Sequence, residues 1–518
     1  MDLDSHWRKT AVLPRFPTLE DNLTVDVVVV GAGITGVTTA YLLKQAGLSV
    51  ALVERERCGG VDTSRTTAHL TAVTDTRLHE LPHRFGNSGA HAVWDAGTTA
   101  IRRIDELVRA ENIDCDFRWC SGYLHAAWET EDSAPFHRDA ETARALGIEA
   151  EFQAAVPLFG VAGVKFPDQA QFHPLAYLAG LLRSLPAGGK VQVFENTEVQ
   201  EIGKSPRQVR TPRGRINFDH IVLATHNPLT GLAGVLRAAL LQTKLSLYTS
   251  YALGARLPRG TVPEGLFWDT AEPYHYLRAR TGRDHTYAIY GGEDHKTGQE
   301  PDTPAAFARL EEKFRGFAPD AKIDARWSGQ VIETSDGLPF IGETAEHQFV
   351  GTGYAGNGMT FGTVAAIMAT DSILGRPNPW RRLFDPHRKK LSAAWDYIRE
   401  NKDFPLHMVC DRLAPPEGNS LRDLAPDEGK VLQWKGRKVA AYRDPRGRVT
   451  VCSAVCTHLQ CIVGWNPAEK TWDCPCHGSR FHPDGRVLSG PAEEPLPRLS
   501  AVTGEPVRPR RAPAPPTS

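Results

Sequence analysis

"VDVVVVGAGITGVTTAYLLKQAGLSVALVE", residues 25–54, decides how the larger part of this chain folds. "VDVVVV" is a continuous apolar run, as in strands buried on both faces. "GAGITG" interrupts it with a turn, "VTTAYLLKQAG" repeats its apolar residues with helical spacing, and "LSVALVE" returns to a strand. Strand, helix and strand in that order imply a parallel sheet, because parallel neighbours need a crossover connection. Gly31, Gly33 and Gly36 form G-x-G-x-x-G between the first strand and the helix. The first permits the turn, the second lets backbone approach a pyrophosphate, and the third allows the helix to pack closely on the strand. The phosphate then lies at the helix N-terminus, where unpaired N–H groups and the dipole favour negative charge. Glu54 ends the second strand, placed to accept hydrogen bonds from a ribose. An acidic residue there favours an unphosphorylated ribose, hence FAD or NAD rather than NADP.

The totals narrow the setting. With 518 residues, 41% of them hydrophobic, the chain is long enough for about three domains of roughly 150 residues each. A formal net charge of −1 gives no basis for nucleic acid or an anionic membrane as partner. The N-terminal "MDLDSHWRKTAV" lacks a basic segment followed by an apolar run, so no secretory signal is expected. The glycines within the longest apolar stretch argue against a membrane span, so no membrane anchor is expected and a cytoplasmic location is the default. Of nine cysteines, Cys452, Cys456, Cys461, Cys474 and Cys476 lie together, while Cys58, Cys115, Cys120 and Cys410 are scattered. Such clustering in an intracellular chain points to metal binding rather than a disulfide framework.

Further along, residues 165–235 form a second α/β-like stretch, with the helical "PLAYLAGLLRSL" and the strand "HIVLATH". Residues 240–325 read as alternating strands rich in aromatics. "GTGYAGNGMTFG", residues 351–362, is glycine-rich, but no strand ending in an acid follows it. A single dinucleotide site in so large an α/β domain points to bound FAD. Over residues 24–375 the chain resembles the D-amino-acid oxidase-like superfamily of FAD-dependent oxidoreductases. The likeness rests on residues 25–54 and on "GGVDTSRTTA", "NTEVQEI", "HIVLATH", "WSGQVIETSDGLPFIG" and "GTGYAGNGMTFG".

The resemblance implies a mixed α/β (α+β) architecture. An FAD-binding Rossmann-type part, about 24–80, 165–235 and 326–375, would be interleaved with an antiparallel-sheet substrate part, about 81–164 and 236–325. Thr63, Ser64, Thr67 and Ala68 would flank the flavin and its pyrophosphate, and Val199 would contact adenine. Gly356, Asn357, Gly358, Met359 and Thr360 would approach the isoalloxazine with backbone groups, and His69 would lie near the flavin. Candidate catalytic residues fall in the aromatic stretch: Tyr248, Tyr251, His275, Tyr276 and Arg278. One departure bears on substrate. Amino-acid oxidases of this superfamily often carry Trp-x-Gly-x-Arg, whose arginine clamps the substrate carboxylate. Here Trp327, Ser328, Gly329 and Gln330 are followed by Val331, which puts a simple amino-acid substrate in doubt.

Near the far end, "CTHLQC" (456–461) is followed by "CPCHGS" (474–479). Cys456, His458, Cys474 and His477 are a donor set that a zinc ribbon or an iron–sulfur cluster would accept. The additional Cys461 and Cys476, the compact loops, and the glycine and serine after the second histidine favour iron. The stretch 421–507 closely resembles a Rieske [2Fe–2S] domain, a small all-β fold. The resemblance implies that Cys456 and Cys474 bind one iron, that His458 and His477 bind the other, and that a disulfide joins Cys461 to Cys476. Gln460 replaces the glycine usual in the first loop. Phe481 stands where high-potential members have a tyrosine donating to a ligand sulfur, so a lower potential is expected. Residues 376–420, rich in proline and charge, read as a linker, and "RPRRAPAPPTS", residues 508–518, as a disordered tail.

A flavin takes two electrons together and a Rieske cluster carries one. Their union implies an enzyme, a dehydrogenase rather than an oxidase. It would oxidise an amine-like small-molecule substrate and relay electrons singly to a soluble one-electron acceptor or donor protein. The alternatives are an electron-transfer protein running from cluster to flavin, and a redox sensor.

Overall fold

The valines of the opening motif sit at the centre of a parallel sheet, which is why their run is unbroken: Val27, Val28 and Val29 are fully buried. The computed structural model describes residues 3–127, 132–227, 241–388 and 414–501, with Gly234, Arg412, Glu505 and Pro506. The chain divides into two units, one of residues 1–295 and 305–397, the other of residues 296–304 and 398–518.

In the first unit, strand Leu23–Val30 lies between Val50–Val53 and Arg215–Leu223, parallel to both. Val191–Phe194 extends the sheet beyond Val50–Val53 and Gln348–Thr352 extends it beyond Arg215–Leu223, again in parallel. Phe340–Ala345 closes that side as an antiparallel edge. Helix Ile34–Gln45 crosses from the first strand to the second and packs on helix Gly358–Ile373. Gly362 lets them approach: a Cβ there would stand 2.8 Å from Thr35 Oγ1.

The second sheet of the same unit has nine strands. Lys322–Thr334 runs antiparallel to Leu245–Pro258, and Tyr276–Thr281 antiparallel to both Gly265–Asp269 and His285–Lys296. Gly265–Asp269 is parallel to Arg118–His125, a departure from a purely antiparallel sheet. These two strands are far apart in sequence, so no hairpin dictates their direction. Gly163–Gln171 and Lys322–Thr334, which begin in or run into the stretches expected to bind FAD, are strands of this sheet. Within the region expected to be all strands, Thr303–Phe317 is a helix. Its buried Ala306, Phe307, Leu310 and Phe314 recur with helical spacing. Residues 376–388 are packed rather than extended: Trp380 and Phe384 are buried, and Arg388 grips Asp336 with two 2.7 Å hydrogen bonds. Residues 389–411 and 413 of the expected linker, and the expected tail 508–518, lie outside the described residues.

The second unit holds two four-stranded antiparallel sheets. One comprises Glu428–Trp434, Arg437–Arg443, Val449–Ser453 and Arg498–Leu499. The other comprises Gly464–Asn466, Thr471–Asp473, Arg480–Phe481 and Val487–Ser489. Trp472, Phe481 and Leu496 fill its core. Arg480 is buried and bonded to Glu469 at 2.6 Å, Asp473 at 3.1 Å and Thr471 at 3.1 Å. Such a charged group is tolerable inside because two carboxylates pair with it. Residues 296–304 belong to this unit: Gln299 donates to the carbonyl of Pro475 at 3.1 Å, and Thr303 to Asn466 at 2.8 Å. Among the described residues no helix is long and apolar enough to cross a membrane.

Candidate active site and metal centre

The glycine loop is built as its spacing requires. A Cβ on Gly31, whose φ is +97°, would stand 2.5 Å from the carbonyl oxygen of Ala224, and one on Gly36 would collide with the carbonyl of Gly31. Gly33 differs: only Thr63 Oγ1, at 3.1 Å, lies near its missing side chain. The backbone at Gly33 therefore faces open room at the start of helix Ile34–Gln45, which fits a pyrophosphate. Thr63 Oγ1 accepts from Ile34 N at 3.1 Å and so reaches the same helix end. Glu54 accepts from the backbone of Ala32 at 2.9 Å and of Glu56 at 3.0 Å, bracing the loop from the second strand. Burial pushes its carboxyl up.

Ser64 is buried and donates to the carbonyl of Val61 at 2.7 Å, and Val199 packs at the edge of the second core cluster. Thr67 meets His69 Nδ1 at 3.1 Å, and Ala68 has φ +59°. Asn357 stands at the start of helix Gly358–Ile373 and donates to the carbonyl of Val73 at 2.6 Å; Thr360 donates to that of Thr71 at 3.0 Å. Gly356 N donates to Asp75 at 3.1 Å, and Met359 is buried. An ion pair absent from the sequence reading ties the 62–64 turn down: Asp62 meets His226 at 2.5 Å. Burial alone would lower the His226 pKa, but the Asp62 carboxylate reverses this and raises it.

Strand alternation divides the five catalytic candidates. Tyr248 pairs across strands with Val331, and Ser250, two residues on, shares its face. Ser250 Oγ lies 2.6 Å from the hydroxyl of Tyr276 and 2.5 Å from Asp294. Tyr248 and Tyr276 therefore look onto one face. Tyr251 looks the other way, fully buried and edge-on to Phe307 at 4.6 Å. His275 also faces away, among Asp269 at 3.3 Å, Glu293 at 3.4 Å and Lys313 at 3.0 Å. Burial would depress its pKa, but the two carboxylates raise it. Arg278 is spent on structure: it donates to Gln171 at 2.8 Å and to the carbonyls of Thr67 and Ala68, each at 3.1 Å. It holds the 67–68 loop.

Sequence reasoning missed Ser250, Asp294, Asp75 and Tyr274. Asp294 is aimed by a bulge. Gly291 pairs with Tyr276, but Gly292 (φ +146°) and Glu293 (φ +58°) depart from strand geometry. Glu293 is thereby turned towards His275, and Asp294 towards Ser250. Glycine at 292 was the one local signal for it.

In the second unit, Cys461 and Cys476 form a disulfide joining the two loops. The Sγ atoms of Cys461, Cys474 and Cys476 lie within 4.8 Å of one another, so the disulfide sits against Cys474. Bonded sulfurs are not ligands, which leaves Cys456 and Cys474 as the thiols. These two interact directly: the hydrogen bond between them brings Cys456 down and pushes Cys474 up. The rings of His458 and His477 stand 5.0 Å apart and perpendicular, and burial lowers both pKa values to about 4, leaving neutral imidazoles as metal binding requires. Ser479 is buried, accepts from Ala492 N at 3.1 Å, and hydrogen-bonds Cys456. Two thiols and two neutral imidazoles at paired loop tips fit a His-ligated [2Fe–2S] cluster.

Comparison with known proteins finds a family for each part of the chain. Residues 26–372 match the family "FAD dependent oxidoreductase" and residues 419–500 the family "Rieske [2Fe-2S] domain". A putative Rieske 2Fe-2S iron-sulfur protein, YhfW, of Bacillus subtilis (strain 168) is 33% identical over 96% of this chain and 97% of its own length. The gamma-glutamylputrescine oxidoreductase of Escherichia coli (strain K12) is 24% identical over 70% of this chain and 86% of its own. Among solved structures, glycine oxidase from Geobacillus kaustophilus superposes with a TM-score of 0.59 at 18% identity, covering 71% of this chain and all of that one. L-proline dehydrogenase from P. horikoshii gives 0.57 at 20%, covering 71% and 98%. At such identities these last two speak for the fold alone. The chain thus belongs to the DAO family of FAD-dependent oxidoreductases, which bind FAD, and carries behind it a Rieske domain, which binds a [2Fe–2S] cluster.

Proposed function

We propose that this protein is a dehydrogenase that takes two electrons and a hydrogen from an amine-bearing carbon and hands the electrons on singly to a soluble acceptor protein. The observation that carries the reading is the union of the two families in one chain, shared with a relative along 97% of that relative's length. Bound FAD supplies the two-electron acceptor, and the cluster supplies a carrier restricted to one electron at a time. The chain's own part is to hold the pyrophosphate at Gly31, Gly33 and Gly36, and to present the donor carbon from the sheet face carrying Tyr248 and Tyr276. Cys456, Cys474, His458 and His477 would hold the irons. A relative named for γ-glutamylputrescine supports an amine donor.

Anaerobic titration of the purified protein with a panel of amines and amino acids, followed by visible absorption and EPR, tests this. The expected result is loss of flavin absorbance first, then a rhombic signal from the reduced cluster. Cluster reduction ahead of the flavin would reverse the direction and favour a chain that receives electrons at the cluster.

A further inference from the structure

We propose that the cluster of Tyr274, Tyr276, Asp75 and Asp294 selects a carboxylate-free amine as its cation, and that Ser250 and Asp294 relay the ammonium proton away from Tyr276. This rests on the dehydrogenase reading above and names its substrate class.

Three independent features converge. The first is a continuous hydrogen-bonded path: Tyr276 Oη to Ser250 Oγ is 2.6 Å, and Ser250 Oγ to Asp294 Oδ1 is 2.5 Å. The second is an aromatic wall. The Tyr274 and Tyr276 rings lie 5.6 Å apart, and the Tyr274 hydroxyl reaches within 3.0 Å of the position a Cβ would take on Gly356. Ring faces attract cations, the more so where water is excluded. The third is a pair of acids without ion-pair partners. Asp75 accepts from Gly356 N at 3.1 Å and burial pushes its carboxyl up, and neither Asp75 nor Asp294 forms an ion pair among the described residues.

The groups around Asp294 are accounted for element by element. From the loop after His69–Leu70 comes Asp75, and from its own strand Glu293; both add negative potential. From the strand of Tyr276 comes His275, held by Asp269 and Glu293 on the opposite face. From Leu245–Pro258 comes Ser250. Glu333, near Tyr274, adds a further negative charge. His69, edge-on to Tyr276 at 5.8 Å, is neutral, because burial lowers its pKa to about 3. Arg278 is engaged with Gln171 and two carbonyls. Val331, opposite Tyr248, offers no cation to a substrate carboxylate, and ionised acids here repel one. Burial, opposed in part by the Ser250 hydrogen bond, raises the Asp294 pKa to about 7, so the carboxylate is poised to exchange a proton near neutrality.

The step balances. The bound substrate is a protonated primary amine whose α-carbon carries hydrogen. Its ammonium gives one proton to the phenol oxygen of Tyr276, whose own proton passes to Ser250 and that of Ser250 to the Asp294 carboxylate. The neutral amine then yields its α-hydrogen with two electrons, as hydride, to the flavin as oxidant. The nitrogen lone pair closes a carbon–nitrogen double bond as the hydride leaves, giving an iminium cation. Water converts this to the carbonyl compound and ammonium.

Calorimetric titration of the cofactor-loaded protein with n-butylamine and with norvaline, from pH 5.5 to 9, tests the inference. Butylamine is expected to bind at least about tenfold more tightly than norvaline, and its affinity to fall as pH drops through about 7, where Asp294 becomes protonated and neutral. Asp294→Asn should weaken binding and abolish that pH step, while Asp294→Glu should restore it. Ser250→Ala, which keeps the carboxylate, should retain the binding step but remove the corresponding step in the rate of flavin bleaching. That readout stands even if Asp294→Asn does not fold. Equal affinity for the two probes, no binding of butylamine, or an unchanged pH step in Asp294→Asn would each overturn the inference. Flavin reduction by norvaline without amine binding would sink it while leaving the dehydrogenase reading intact. Tight amine binding without flavin reduction would do the reverse.

Discussion

Val331 faces Tyr248 across two antiparallel strands, and the resemblance to amino-acid oxidases sets an expected carboxylate-binding arginine at this position. Replacing it by arginine should place a guanidinium on the face of Tyr248 and Tyr276 and improve norvaline binding by roughly 1.5–3 kcal/mol, the range for a charged hydrogen-bonded contact. Glu333, two residues along the same face, will draw on part of that charge, so the lower end is expected. The dissociation constant for norvaline, measured with and without the substitution, checks it. No improvement would mean that residue 331 does not face the donor. A second single-residue effect is expected in the other unit. Phe481 is fully buried in the same apolar cluster as Cys456 and Cys474 and offers no donor. Phe481→Tyr should raise the cluster potential, because a hydroxyl donating to a ligand sulfur stabilises the more electron-rich state. Voltammetry of the purified protein reads the shift, and an unchanged or lowered potential would show that the new hydroxyl does not reach sulfur.

At the scale of elements, the parts that short-range spacing dictates were readable in the sequence. The turn of Gly31, Gly33 and Gly36, the first crossover helix and the two cysteine–histidine loops are all local motifs, each fixed within about thirty residues of chain. What escaped was set by distance and by irregularity. Tyr248 and Tyr251 look alike in sequence, but an odd spacing along a strand sends them to opposite faces. Asp294 drew no attention because a regular strand would have turned it away from Tyr276; the positive φ of Glu293 brings it back. Asp75 and Gly356 meet across 281 residues, a pairing that periodicity cannot announce. The helix Thr303–Phe317 hid in a stretch dominated by strand-forming aromatics, although its apolar spacing was helical. The glycine loop also supplies a test at this scale. Gly33→Leu would fill the open room beside Thr63 and block the backbone from a pyrophosphate. FAD should be lost from the purified variant while the iron content and Rieske spectrum persist; retention of stoichiometric FAD would place the pyrophosphate elsewhere.

At the scale of the molecule, the two cofactor sites are built from separate cores. The flavin-side residues draw on the parallel sheet and the nine-stranded sheet of the first unit, and the cluster loops on two small sheets of the second. Arg480, with Glu469 and Asp473, and the Cys461–Cys476 disulfide hold the second unit's loops without help from any residue of the glycine motif. Losing a cluster ligand need not therefore disturb the flavin site. His477→Ala should abolish the Rieske signal and electron delivery to a one-electron dye, yet leave FAD bound and reducible by an amine to the same end point. The disulfide should keep the loops joined in that variant, so its far-ultraviolet circular dichroism should match the parent. If the flavin of His477→Ala can no longer be reduced by the amine, the cluster lies before the flavin in the sequence of electron flow, and the chain works from its Rieske end inward.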